Sequence, residues 1–181
     1  MESCRMVFSG SGGQGVITAS IILSEAAVLY DNLNAVQSQS YGAEARGGAT
    51  RADVVLSDSI IHFPKVIQPN VLVCLTQAAY GKFYPIIRPG GVLITDPRFV
   101  QTEKKVDAQQ KEVKMYETIM AEIGKPIVFN ICMLGAVIGL TGLVKPESIM
   151  KSLENRIPAD FLEMNRKALD IGIKLGEAAK T

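Results

Sequence analysis

Apolar and polar positions along the chain alternate in short blocks that predict strands separated by helices. An apolar run at residues 4–9 predicts a first strand, and Val16–Tyr30 has the apolar periodicity and length of a helix. The segment at residues 34–39 predicts a second strand. Three further strands are predicted at residues 50–57, 70–76 and 92–96, and a short helix at residues 77–87. This order of strands and helices predicts an α/β fold with a parallel sheet.

The pattern changes after the last of these strands. Residues 97–114 are polar and charged and indicate a solvated excursion. Residues 116–124 predict a helix closed by Gly124, and residues 126–130 suit either a last strand or the approach to another helix. Two C-terminal helices are predicted next, one opened by Pro146 and an amphipathic one at residues 159–179. We interpret residues 1–181 as a single domain with a helical C-terminal tail.

One apolar stretch, Pro126–Val144, is nearly long enough to span a membrane. Asn130 interrupts it in the manner of a helix N-cap. About a dozen helical residues then remain, which is the length of a buried core helix, and we expect no membrane association. Gly135 and Gly139 share one face of this helix and predict close packing of the helix on the sheet.

Composition narrows the classes of partner and site. Of the 181 residues, 19 are basic and 18 are acidic, so the net charge of +1 does not favour a nucleic-acid partner. Cys4, Cys74 and Cys132 lie far apart in apolar runs, which predicts buried thiols in a reducing, cytoplasmic compartment and no metal or iron–sulfur site in this chain. His62, the only histidine, is predicted to be packed and not to act as a base.

The most unusual stretch is GSGGQGV at residues 10–16. Gly10, Gly12 and Gly15 form a G-x-G-x-x-G pattern between a predicted strand and a predicted helix. Glycines there let backbone N–H groups approach an anion at the positive end of the helix, and a phosphate-bearing ligand suits that site. A purely structural turn is the alternative. The dinucleotide pattern is incomplete, because Gln37 and Gln39 stand where an acidic residue would bind ribose.

A second glycine-rich stretch, SYGAEARGG, occupies residues 40–48. Glu44 and Arg46 could pair in a surface loop, or Arg46 could bind a phosphate or carboxylate. In a doubly wound fold this stretch and the first glycine turn lie together at the carboxyl edge of the sheet. Spacing supports no catalytic triad, dyad or carboxylate pair. The chain is therefore expected to be part of a larger assembly, with a stand-alone NAD- or flavin-binding oxidoreductase as the alternative.

These two motifs, together with the Asn130, Leu134 and Gly135 pattern of the later apolar helix, resemble the gamma subunit of 2-oxoacid:ferredoxin (acceptor) oxidoreductases. The resemblance extends from about Arg5 to the final helices, and it is greatest to the 2-oxoglutarate enzymes. It implies a Rossmann-like α/β fold of three layers, with a mostly parallel sheet and helices on both faces. It also implies an enzyme that makes acyl-CoA and CO2 from a 2-oxoacid and CoA.

The resemblance places thiamine diphosphate, its magnesium ion and the iron–sulfur clusters in partner subunits named alpha, beta and a ferredoxin-like delta. CoA is the ligand that it implies for this chain, which catalyses nothing alone. The residues that it implies for binding come from both glycine-rich stretches, and Arg51 is a further candidate for CoA phosphates. They are Gly10, Gly12, Gly13, Gln14, Gly15, Tyr41, Glu44, Arg46, Gly47 and Gly48.

Overall fold

The computed structural model of the chain describes residues 3–40, 49–103 and 105–181. The strands are β1 (Cys4–Gly10), β2 (Asn34–Ser40), β3 (Thr50–Ser57), β4 (Val71–Cys74), β5 (Gly91–Thr95) and β6 (Ala108–Glu112). The helices are α1 (Val16–Tyr30), α2 (Gln77–Phe83), α3 (Met115–Glu122), α4 (Phe129–Thr141), α5 (Pro146–Arg156) and α6 (Ala159–Ala178). The predicted bounds of α1 and β3 agree with the structure at both ends.

The six strands form one sheet in the order β2-β3-β1-β4-β5-β6. β1, β4, β5 and β6 pair in parallel. β3 lies between β1 and β2 and runs antiparallel to both. The prediction of a mostly parallel α/β sheet is therefore confirmed, and β3 is the one strand of the described sheet with the opposite direction.

Side chains of successive strand residues point to opposite faces of the sheet, and each face has its own core. Met6 and Phe8 of β1 pack in the larger core with α1, α3, α4, α5 and α6. Val7 points the other way, into a smaller core that holds Tyr80 and Phe83 of α2. Helices thus cover both faces, which gives the three layers that the sequence resemblance implied.

Glycines allow α4 and α6 to pack backbone against backbone. A Cβ atom on Gly135 would lie 2.4 Å from the Leu169 carbonyl oxygen, and one on Gly172 would lie 2.0 Å from the Cys132 oxygen. Gly139 meets Ile173 of α6 in the same way. The prediction that this glycine face packs on the sheet is wrong, because it packs on α6. The predicted helical C-terminal segment is therefore confirmed, and its helix α6 contributes to the larger core.

The polar stretch at residues 97–114 contains β6, which the sequence did not predict. β6 pairs with β5 alone, at the end of the sheet. Its side chains are exposed or half-buried, and an edge strand in that position needs no apolar run. The helix before Gly124 is confirmed: Gly124 has a φ of 74° and donates a hydrogen bond to the Ile119 oxygen at 3.0 Å.

Residues 126–128 form a short 3-10 turn that leads into α4, so the approach to a helix is the correct alternative there. α4 has 13 residues and is buried along most of its length. Across the described ranges, no helix is both long enough and apolar enough to cross a membrane.

Candidate functional site

The candidate site begins at the glycine turn between β1 and α1. Gly15, the residue that precedes the first turn of α1, has a φ of 71°, a conformation that favours glycine. A Cβ atom there would also lie 2.6 Å from Nδ2 of Asn130. Both the backbone and the neighbouring side chain therefore require glycine at position 15.

Gln14 holds the turn in place. Its Oε1 accepts a hydrogen bond from the Ser11 amide at 2.8 Å, and its Nε2 donates one to the Leu75 carbonyl at 3.0 Å. Leu75 directly follows β4, so this side chain links the turn to the neighbouring strand. A Cβ atom on Gly10 would lie 2.5 Å from Oε1 of Gln14, so Gly10 makes room for this link.

Gly12 and Gly13 differ from the other two glycines because they face open space. A Cβ atom on Gly13 would meet no described atom within 4 Å, and one on Gly12 would approach only Thr50 among the described residues, at 4.0 Å. α1 has no side-chain cap and no acidic residue in its first turn. No described side chain caps the first N–H groups of α1, so these groups and the positive dipole end suit an anion at this turn.

Beside the turn lies a cleft of about 560 Å³. Its apolar wall is built from Phe99, Tyr116 and Phe129, whose rings pack edge to face with centroids 5.1 to 5.8 Å apart. Phe99 follows β5 and Tyr116 follows β6, so the cleft opens at the carboxyl edge of the parallel strands. It thus combines a polar, anion-type floor with an aromatic wall.

Asn130 lies between the turn and this cleft. α4 begins at Phe129 and has no side-chain cap, so the prediction of Asn130 as its N-cap is wrong. The Asn130 amide instead donates a hydrogen bond to the Gly15 carbonyl at 3.4 Å. The 3-10 turn before α4 places Asn130 inside the first helical turn, where its side chain supports the glycine turn.

The second predicted loop, with Tyr41, Glu44, Arg46, Gly47 and Gly48, lies outside the described residues. Its flanks do not. Thr50 pairs with Gly10, and Ser40 pairs with Arg51 in the same sheet. Both ends of this segment therefore lie at the edge that carries the glycine turn.

Arg51 is committed to internal contacts. It pairs with Asp53 through two hydrogen bonds of 2.6 and 3.0 Å and donates a third to the Val66 carbonyl at 2.7 Å. Its guanidinium also lies over the Phe83 ring, 5.5 Å from the centroid. Arg51 therefore braces the α2 face, and these contacts do not support it as a candidate for CoA phosphates.

The other candidate groups are not arranged for catalysis. His62 is exposed in the loop after β3, so the prediction of a packed histidine is wrong. Cys74 and Cys132 are buried and Cys4 is half-buried. Burial raises the pKa of Cys74 and of Cys132 to about 12, so these thiols stay protonated at neutral pH.

One buried acid at the carboxyl edge escaped the sequence analysis. Asp96 follows β5 and is 0% exposed. Its carboxylate accepts hydrogen bonds from the Arg98 amide at 2.9 Å and the Tyr116 amide at 2.7 Å. Burial raises the pKa of this carboxyl above its ordinary value, against the opposing effect of these backbone hydrogen bonds. Asp96 thereby fixes the segments that carry Phe99 and Tyr116.

The described end of β2 carries amides where a dinucleotide site would have a carboxylate. The Gln37 amide donates to Ser20 and to Gln39, each at 3.1 Å. Fold and site thus define an α/β protein with an anion-type glycine turn at the carboxyl edge of its sheet, outside the NAD pattern. The chain belongs to the pyruvate ferredoxin/flavodoxin oxidoreductase family, whose model matches residues 5–175.

Individual relatives agree with this family. The chain is 47% identical over 171 residues to the 2-oxoglutarate synthase subunit KorC of Methanocaldococcus jannaschii, covering 93% of this chain and 91% of that protein. It is 32% identical to the pyruvate/ketoisovalerate oxidoreductases common subunit gamma of Thermococcus litoralis, covering 89% and 90%. The crystal structure of a keto/oxoacid ferredoxin oxidoreductase gamma subunit from Geobacter sulfurreducens is 39% identical, with a TM-score of 0.91 and complete coverage of both chains.

Proposed function

We propose that the chain is the gamma subunit of a multi-subunit 2-oxoglutarate:ferredoxin oxidoreductase. The assembled enzyme oxidatively decarboxylates the 2-oxoacid and transfers the acyl group to CoA, giving acyl-CoA and CO2, while the electrons pass to ferredoxin. Identity to the 2-oxoglutarate synthase subunit is 47%, against 32% to the pyruvate/ketoisovalerate subunit, and this difference supports 2-oxoglutarate as the substrate.

Under this proposal the redox chemistry belongs to partner subunits. The alpha and beta subunits would hold thiamine diphosphate and magnesium, and a ferredoxin-like delta subunit would hold iron–sulfur clusters. Within the described part of this chain, no three His, Cys, Asp or Glu side chains gather to hold a metal ion. The three free thiols support a reducing, cytoplasmic location. We further propose residues 1–181 as one functional domain.

The role of this chain is to help bind CoA and to complete the assembly. The observation that carries this role is the uncapped N-terminus of α1 beside the open Gly12–Gly13 turn. Peptide N–H groups there would hold phosphate oxygens of CoA, and the aromatic wall of the cleft suits its uncharged portion. Gly10, Gln14 and Gly15 would shape the turn. Tyr41, Glu44, Arg46, Gly47 and Gly48, whose flanks reach the same edge, would complete the site.

A substitution at Gly13 tests the CoA site without disturbing the fold. In Gly13→Asp the new Cβ atom meets no described atom within 4 Å, and a carboxylate near a helix N-terminus does not destabilise the helix. It would repel a phosphate, so we expect the KM for CoA to rise about tenfold or more while the KM for the 2-oxoacid stays unchanged. Steady-state kinetics of the reconstituted complex measure both constants.

Gly13→Ala is the matched control, because it adds a side chain of similar position without charge. Its KM for CoA should stay near that of the wild type. An unchanged KM in Gly13→Asp would exclude the turn as a phosphate site. Turnover of a 2-oxoacid by the isolated chain, or NADH binding tighter than CoA binding, would contradict the wider proposal.

A further inference from the structure

A second cleft lies at the amino edge of the sheet, opposite the glycine turn. It has a volume of about 630 Å³ and opens between the start of β1 and the loop that follows β3. Because β3 runs antiparallel to β1, the end of β3 and the start of β1 meet at this edge. Its walls include Arg5, Arg88, His62, Ile60 and Phe63. We call this set the amino-edge surface.

Two arginines at this surface form no ion pair with any described residue. Elsewhere Arg51 and Arg156 pair with carboxylates, at 2.6 and 2.5 Å. Arg5, by contrast, donates from Nη1 to the Ser3 hydroxyl at 2.8 Å. Burial raises the pKa of the Cys4 thiol to about 11, and Arg88 and Arg5 oppose this rise. Both arginines line the same cleft.

The described residues that line the cleft carry more positive than negative charge. Asp58 is the one acidic residue among the described residues of its lining, and its carboxylate accepts a hydrogen bond from the Ser59 hydroxyl at 2.8 Å. Two arginines against one aspartate leave an excess positive charge among the described lining residues. Neither guanidinium group is in an ion pair with a described carboxylate, so carboxylates of another molecule are suitable partners for them.

Exposed apolar side chains border these arginines. Ile60 is 75% exposed and Phe63 is 49% exposed, and both stand in the loop after β3. A small-molecule site buries most of its ligand in an enclosed cavity, whereas this cleft is open. Arginine and aromatic side chains together on an open surface are typical of protein interfaces.

We infer that the amino-edge surface docks another polypeptide subunit of the complex, through a segment that presents carboxylates around an apolar side chain. This inference rests on the proposed function, which supplies the partner subunits. It extends that function by assigning CoA binding and subunit assembly to opposite edges of the sheet. The carboxyl edge binds the CoA phosphates, and the amino edge, on the far side of the sheet, holds the assembly together.

Charge and apolar variants of exposed residues test the inference. We expect Arg88→Glu and Ile60→Asp each to weaken association with the partner subunits at least tenfold. We also expect 500 mM NaCl to weaken the wild-type complex more than it weakens the complex of Arg88→Glu. Co-expressed complexes are purified, and the fraction of chain bound to its partners is measured at several concentrations. Lys174→Glu, an exposed charge reversal on α6, is the matched control and should assemble like the wild type.

Three results would overturn the inference, and none of them is confused with failure of the proposed function. In the first, the wild type forms the complex, and Arg88→Glu and Ile60→Asp bind the partner subunits with the same affinity as the wild type. Backbone amides of residues 57–63 could exchange hydrogen as fast in the complex as in the isolated chain. Inorganic phosphate could bind the isolated chain in an Arg88-dependent manner with assembly unaffected, which would make this cleft a small-anion site. If the wild type itself joins no partner subunits, the proposed function is what fails.

Discussion

At the scale of single residues, Asp96 shows how a buried charge organises the candidate site from outside it. One oxygen of its carboxylate accepts a hydrogen bond from the backbone amide of Arg98, and the other accepts one from the backbone amide of Tyr116 in α3. These two bonds connect the end of β5 to the first turn of α3. The aromatic wall of the cleft is thus held by an acid that does not line it.

Asp96→Asn should destabilise the protein by about 1–3 kcal/mol at pH 7.5, because the amide nitrogen would face a backbone N–H donor and leave it unsatisfied. The raised pKa means that the folded state takes up a proton above the ordinary pKa of 3.8. The contribution of Asp96 to the free energy of unfolding of the wild type therefore increases as the pH falls from neutral toward that value. Asparagine does not titrate, so the variant lacks this increase. Urea unfolding at pH 7.5 and pH 5 should show a wider gap between the two proteins at pH 5.

The control for this experiment is Asp170→Asn, at an exposed position on α6. Its unfolding free energy should stay within about 0.5 kcal/mol of the wild type at both pH values. A gap for Asp96→Asn that narrows on acidification would contradict the raised pKa of Asp96.

Sequence patterns identified the glycine turn but not the side chains that support it. The G-x-G-x-x-G spacing is local, so it predicts a strand–turn–helix and a place for an anion. The partner of Gln14 is Leu75, 61 positions away, and the partner of Asn130 is Gly15, 115 positions away. Pairings of that kind depend on the packing of the whole chain. His62 was mispredicted for the same reason, since Ile60 and Phe63 beside it in sequence are exposed in the loop.

At the scale of helices and strands, apolar periodicity predicted the position of elements that have a buried face. α1 and β3 match their predicted bounds, while β6 was missed because it is a polar edge strand. The direction of β3 follows from its pairing partners and has no signal in its own residues. The packing of α4 on α6 could likewise not be predicted from the local sequence, because two glycines four residues apart indicate that another element packs closely but not which element it is.

The α4–α6 contact predicts opposite outcomes for two helical glycines. Gly172→Ala should destabilise the fold by about 2 kcal/mol or more, since its Cβ atom would overlap the Cys132 carbonyl at 2.0 Å and force the helices apart. Gly81→Ala in α2 meets nothing within 4 Å and should stabilise the fold by about 0.5–1 kcal/mol, because alanine loses less backbone entropy on folding. Equilibrium urea unfolding of both variants measures the contrast. Equal effects of the two substitutions would show that α4 and α6 are not in backbone contact.

At the scale of the whole molecule, the reactivity of the three thiols measures how well the core excludes solvent. Burial raises the pKa of Cys74 and Cys132 to about 12 and that of Cys4 to about 11, so at pH 8 all three are almost entirely protonated. We expect a soluble disulfide reagent to modify the half-buried Cys4 slowly and the other two only on unfolding. Absorbance kinetics of thiol release, with Cys4→Ser as the control, measure this order. Modification of Cys74 or Cys132 at the rate of Cys4 would contradict it.

The reversed direction of β3 has a consequence for how the family can diversify. Ser40 ends one strand and Thr50 starts the adjacent antiparallel one, so the segment between them is anchored in the sheet at both ends. Exchanging such a stretch alters the chain-closure entropy little, because both anchor points are already fixed by strand pairing. We therefore expect substitutions or changes of length between these two anchors to leave the strand register of the sheet unchanged.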